Sequence, residues 1–222
     1  VIAKANSLED KQMLADLDAV VAFIEQQPRA NAKKIGITGM CRGGRTTWMF
    51  AAHSKKIKAG VSWYGGLTPM PPAMPLTPID VADQLNAPVL GLYGGADAGI
   101  PLDHVERMRA SLLAFGKDKE SMIHVYDGMP HAFHADYRPS YRKEAAEDGW
   151  KRMLACQMRD AEGTRVSVSI LVDEALFKAS GKTISFPGFL RAYVEGSDDP
   201  EADLAEQERN LPPLKQGDSV VA

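Results

Sequence analysis

An α/β fold on a parallel sheet is predicted by three observations. Short apolar runs alternate with helix-length amphipathic segments from about residue 9 to residue 159. Runs such as Pro88–Tyr93 are almost continuously apolar, as strands buried on both faces are. The residues that could do chemistry follow these runs, where the carboxyl ends of parallel strands would present them.

Residues 9 to 27 predict an amphipathic helix, with Leu14, Leu17, Val21 and Ile24 on one face. Glu9 and Asp10 suit its first turn, and Pro28 closes it. Ile35 to Thr38 is a short buried strand. Arg42 to His53 is a helix carrying Trp48, Met49 and Phe50, and Ile57 to Tyr64 is the next strand, ending at Gly65 and Gly66. Five prolines between Leu67 and Pro78 rule out regular structure there and predict a loop over one end of the sheet. A short helix over 80–85 and a strand over 88–93 follow. Pro101 opens a helix to about Phe115 whose inner face is Val105, Met108, Leu112 and Leu113. Met122 to Tyr126 is a fourth strand, and a helix from Ser140 to Arg159 has Gly149 as its weak point.

The texture changes after Asp160. Thr164 to Ile170 alternates like a half-solvated strand. Glu195 to Glu208 is acidic, nearly free of apolar residues, and expected to be a mobile loop. The tail has too few apolar residues for a large core of its own. Overall, 222 residues with 45% apolar content, 25% charge and a net charge of −3 describe a water-soluble globular chain. No run is long and apolar enough to cross a bilayer, and no secretory leader is visible. Two cysteines, Cys41 and Cys156, are too few for a disulfide framework and suit a reducing, cytoplasmic setting. The mild acidity argues against a nucleic-acid partner. The chain opens on Val1 with no strand before its first helix, so it reads as a piece of a longer unit.

Gly39-Met40-Cys41-Arg42-Gly43 has the form of a nucleophile elbow with sulfur in place of a hydroxyl. Such a turn between strand and helix tolerates only small residues two positions either side of the nucleophile. The helix N-terminus favours negative charge on the sulfur and offers the Arg42 backbone N–H to a developing oxyanion. Asp97 follows the third strand and His131 the fourth, in the order nucleophile, acid, histidine. Taken singly, each has an ordinary reading: a buried structural cysteine, a turn aspartate, a surface-loop histidine. Their joint placement at strand ends favours a catalytic set, in which His131 moves the proton and Asp97 orients its ring. Trp63, Tyr64 and Tyr93 are candidates for lining a substrate cleft, and equally for core packing. Arg42 could aim a cation at a substrate carboxylate or lie solvated at the helix end. His134, three residues beyond His131, suggests a metal, but no third ligand has suitable spacing and none is expected. Neither a Walker lysine nor a dinucleotide glycine fingerprint is present.

Gly39-Met40-Cys41-Arg42-Gly43-Gly44, Trp63-Tyr64-Gly65, Leu92-Tyr93-Gly94-Gly95-Ala96-Asp97 and Tyr126-Asp127-Gly128-Met129-Pro130-His131-Ala132-Phe133 together resemble the dienelactone hydrolase family. The resemblance covers residues 1 to about 154. It implies an α/β-hydrolase fold lacking its first strands, a Cys41–Asp97–His131 site, and no cofactor. The implied reaction is hydrolysis of a small ester or lactone, such as dienelactone, through a thioester. It also implies that a neighbouring strand and a second oxyanion donor belong to a region before Val1. Losing one such donor costs about 3–4 kcal/mol of transition-state stabilisation.

From about Trp150 the chain resembles a different family. Trp150–Met158, Phe177–Gly181, Phe186–Gly196 and Leu211–Asp218 are similar to bacterial type IA DNA topoisomerases, without that family's catalytic tyrosine or acidic metal ligands. The expected organisation is therefore a hydrolase-like α/β part over 1–154 and a poorly packed, β-rich fragment over 155–222. The competing functional readings are a nucleic-acid-associated topoisomerase fragment and an inactive composite.

Overall fold

The computed structural model describes residues 9–27, 30–69, 74–157 and 168–173, with backbone alone for 155–157 and 168–173. Helix α1 spans Asp10–Glu25 and buries Met13, Leu17, Val21 and Ile24. Met13 takes the inward position expected of Leu14, which lies half-buried at the margin of the core. Strand β1 (Ile35–Met40) leads through Cys41 into α2 (Arg42–His53). Strand β2 (Ile57–Trp63) follows, then a single 3₁₀ turn at Ala82–Gln84 where a short helix is expected. Strand β3 (Val89–Gly94), α3 (Leu102–Ala114), β4 (Met122–Tyr126) and α4 (Lys143–Gln157) complete the alternation. Strand β5 (Val168–Asp173) belongs to the C-terminal region.

Among the described residues the sheet has the order β4-β3-β2-β1-β5, and every pair is parallel. Strands β1 to β3 are buried along nearly their whole length, with Lys58 of β2 exposed, which is why they read as largely apolar without alternation. Helix α2 is buried over all of residues 42–52. It is packed on every side, so its sequence shows no clean apolar stripe. Two contacts fix it against the sheet. Gly44 lies so close to β2 that a Cβ there would come within 2.6 Å of the Trp63 carbonyl oxygen. The Cβ of an alanine at Gly65 would come within 2.4 Å of the Gly44 carbonyl carbon. Gly149 has a similar explanation. Its missing side chain leaves room for the Trp63 ring, 2.6 Å from where a Cβ would stand. The glycine that weakens α4 locally is what lets it lie on the core.

The proline-rich loop is irregular on both sides of residues 70–73, as expected, yet it is anchored. Leu67 and Met74 are fully buried, and the Thr77 N–H and hydroxyl both donate to Asp80. Strand β5 pairs with β1 in register from Ile35↔Val168 to Met40↔Asp173. It runs past Ile170, where the alternation over 164–170 ends, because the apolar run continues through Leu171 and Val172; residues 164–167 lie outside the described residues. One edge of β1 is thus covered by backbone from the C-terminal region. The acidic run after Glu195 and the rest of the tail lie outside the described residues. Among those described, no helix is long and apolar enough to cross a membrane.

Candidate active site

Cys41 occupies the turn between β1 and α2 with φ 57° and ψ −116°, a backbone conformation that L-residues rarely adopt. Its surroundings hold it there. Its N–H donates to the Trp63 carbonyl at 2.9 Å, and its own carbonyl accepts from the Arg45 N–H at 3.2 Å. Gly39 is required below it, since a Cβ there would meet the Gly43 oxygen at 2.3 Å. The thiol stands partly exposed at the N-terminus of α2.

The loops after β3 and β4 are tied to each other. Gly95 N–H donates to the Tyr126 carbonyl and Ala96 N–H to the Met129 carbonyl. Gly94 permits this approach, because a Cβ there would lie 2.3 Å from the Met129 oxygen. Asp97 is buried, 4% exposed, and one carboxylate oxygen accepts the N–H groups of Gly99 and Ile100. Its other oxygen lies 2.6 Å from His131 Nδ1. His131 Nε2 lies 3.3 Å from Cys41 Sγ. Positive φ at Ala132 (57°) and full burial of Phe133 set the turn that aims the imidazole. The three residues expected to work together are therefore in hydrogen-bonding contact, although 56 and 34 positions separate them along the chain (97 − 41 and 131 − 97).

The His131 imidazole is pushed up from 6.5 to about 9, by its hydrogen bond to Asp97 first and that to Cys41 second, against partial desolvation. It is then an imidazolium at neutral pH, with both ring N–H groups donating, one to the carboxylate and one to sulfur. The folded value lies above the ordinary one. The resulting stabilisation is thus fully present below about pH 6.5 and is lost as pH rises through about 9. Urea titrations at pH 6 and pH 10 check this. The stability advantage of the wild type over His131→Gln shrinks at the higher pH; an equal advantage at both contradicts the assigned protonation. The histidine side chain is 35% exposed, so the effect is modest.

The three aromatic candidates part company. Tyr64, with φ 38°, sets its ring edge-on to His131 at 5.0 Å and walls the site. Trp63 and Tyr93 are fully buried in the core. Their polar ends meet core partners, Trp63 Nε1 donating to Thr38 and Tyr93 Oη accepting from Trp48 Nε1. They brace the strand ends rather than face a cleft. Arg42 is buried, 8% exposed, which excludes the solvated reading. As the first residue of α2, it brings its backbone N–H to the helix end beside the sulfur. His134 lies 4.3 Å from the Trp63 ring and 5.9 Å from that of Trp150, and burial lowers its proton affinity. Among the described residues no cluster of three metal-ligating side chains occurs.

Two features escape the sequence reading. Gly99 and Ile100 N–H groups brace Asp97; an aspartate two residues before a glycine is the available signal. Asp10 is more than a favourable charge in the first turn of α1. It is the ion-pair partner of Arg45, 35 residues away, and no local pattern announces that.

A parallel sheet with a strained elbow after one strand, an acid after the next strand but one and a histidine after the strand that follows is the architecture of the α/β-hydrolases. The dienelactone hydrolase family model matches residues 1–158, and the chain belongs to that family. A second model, DNA topoisomerase, matches residues 149–222. A hydrolase-like domain is thus fused to a topoisomerase-like fragment. A provisionally named carboxymethylenebutenolidase of Methylorubrum extorquens is 52% identical over 149 residues, covering 67% of this chain and 50% of the relative. The chain spans about half the length of the curated hydrolase relatives it matches. DNA topoisomerase 1 of Synechocystis is 62% identical over 69 residues, 31% of this chain and 8% of the relative. A solved structure, provisionally named a dienelactone hydrolase of Klebsiella pneumoniae, superposes with TM-score 0.66 at 48% identity. It covers 69% of this chain and 63% of the other.

Proposed function

We propose that the chain is a cysteine-dependent hydrolase of a small ester or lactone, of the carboxymethylenebutenolide type. The observation that carries this reading is the relay from Asp97 Oδ2 through His131 to Cys41 Sγ, at 2.6 and 3.3 Å. The sulfur attacks the ester carbonyl as thiolate, while the Arg42 backbone N–H donates to the oxyanion. His131, already protonated, gives its Nε2 proton to the leaving oxygen as the carbon–oxygen bond breaks, leaving a thioester on Cys41. Now neutral, it takes a proton from water, whose oxygen attacks the thioester. Collapse of that second intermediate expels the thiolate and releases the acid. Asp97 holds the ring orientation and stabilises the imidazolium at both stages. None of these steps calls for a cofactor. A reducing cytoplasmic setting belongs to the same reading, since the sulfur must stay free.

The test is selective alkylation. Iodoacetamide at neutral pH modifies Cys41 faster than Cys156, as read by peptide mapping, and turnover of a small activated ester falls in proportion. Equal labelling of the two, or activity surviving full modification of Cys41, refutes the reading. The topoisomerase match supports one competitor, a fragment that associates with nucleic acid. Salt-sensitive binding of single-stranded DNA, with no thiol-dependent ester turnover, would favour it.

A further inference from the structure

Arg45 lies one helical turn beyond Cys41, and its side chain is completely buried. It forms a two-pronged ion pair with Asp10 of α1, Nη1–Oδ1 2.6 Å and Nη2–Oδ2 2.8 Å. Nη2 also donates to the Leu76 carbonyl in the proline-rich loop. Nε is buried without a hydrogen-bond partner among the described residues. A buried ion pair is a poor source of stability, because desolvation offsets much of the attraction; an apolar pair of similar volume often does as well. What the fork geometry supplies is direction, since two parallel bonds fix both distance and angle. Here it fixes α2, whose first N–H groups and preceding turn hold the sulfur. Helix α2 is held as well by the close approach of Gly65, just after β2, to the Gly44 and Arg45 backbone. Cys41 is strained at φ 57°, and such a conformation persists only when its surroundings leave it no freedom.

We propose that Arg45 is a positioning residue for Cys41: with Asp10 and the Leu76 carbonyl it forms a buried clamp that locks the nucleophile helix between α1, the proline-rich loop and the sheet. The proposal rests on the hydrolase reading for its catalytic meaning, but not for its geometry. Releasing the clamp lets α2 slide or turn by a fraction of an ångström. The 3.3 Å contact between Cys41 Sγ and His131 Nε2 absorbs the movement.

The decisive variant is the double replacement Asp10→Asn with Arg45→Met. It removes both charges together and so leaves no buried charge without its counterpart. The expected result is a cooperative fold with nearly wild-type melting. kcat on an activated ester falls about tenfold with KM little changed, since an error of about 1 Å in placement can cost 10²-fold. The His131 ring, followed by NMR, titrates lower than in the wild type measured alongside, because one of the two hydrogen bonds that raise it is weakened. Alkylation of Cys41 slows in parallel. Wild-type kcat with an unmoved His131 titration would make the pair structural filler and overturn the proposal. Should the double variant not fold, Arg45→Lys decides the matter. It keeps the charge but not the fork, and the clamp predicts a smaller fall in kcat and a smaller His131 shift; none at all overturns it. If the wild type hydrolyses no ester, the hydrolase reading fails, while the His131 titration and the alkylation rate still test the clamp.

Discussion

Replacing His131 with alanine removes ester turnover by about 10³-fold or more while leaving the circular dichroism spectrum unchanged. In the proposed mechanism the imidazole handles the proton in both half-reactions, and a positioned acid–base group contributes about 10²–10⁴ to each step it serves. The side chain is partly exposed, so its loss removes only part of a buried contact, chiefly that with Tyr64. The alanine also leaves Asp97 Oδ2 without its histidine, but Oδ1 keeps the Gly99 and Ile100 N–H groups, so the turn survives. Asp97→Asn is the companion measurement. The amide can hold the wrong tautomer towards Nδ1, and turnover falls strongly without unfolding. Wild-type turnover in His131→Ala would remove it from the mechanism.

Gly65→Ala has the largest expected effect on the fold. Its new Cβ would sit 2.4 Å from the Gly44 carbonyl carbon, 2.5 Å from the Arg45 nitrogen and 2.6 Å from Ser62 Oγ. Two of these are backbone atoms of the nucleophile helix and cannot swing aside. Overpacking of flexible side chains costs about 1–3 kcal/mol, and a backbone clash belongs at or beyond the upper end of that range. Thermal denaturation should show melting several degrees lower, and the remaining folded protein should turn over ester more slowly because α2 has been pushed off β2. A melting temperature within error of the wild type would mean that the helix does not approach the strand so closely. Gly116 is the internal comparison. A Cβ there meets nothing within 4 Å, so any cost of Gly116→Ala comes from its φ of 66° alone.

The order of elements was legible because each apolar run and each helical face carries its own period. The juxtaposition of Cys41, Asp97 and His131 was legible for a related reason. In a parallel sheet, loops after successive strands share one end of the molecule, so residues far apart in sequence can be assigned to one site without knowing any distance. What escaped were interactions with no local signature. Asp10 and Arg45 each look like solvated helix residues, and only the packing of α1 on α2 joins them. Trp63 and Tyr93 sit at strand ends, as cleft residues would, but the pleat turns both inward. Ala132 gives no hint of its positive φ, because glycine is the residue expected there. The end of β5 was placed too early because alternation over 164–170 marks a half-solvated strand, whereas the apolar run continues through 171 and 172. The placement of that strand beside β1 joins two regions whose sequences resemble different families, and no rule about either family predicts it.

In the proposed mechanism Cys41 carries the acyl group, and rapid acid quenching during turnover of p-nitrophenyl acetate, followed by peptide mass spectrometry, looks for it there. The predicted result is acetylation of the peptide containing Cys41, forming at the rate of the p-nitrophenolate burst, absent from Cys41→Ala and from protein alkylated beforehand. Turnover with no acyl group on Cys41 at any quench time, or an adduct on Cys156 alone, would contradict it.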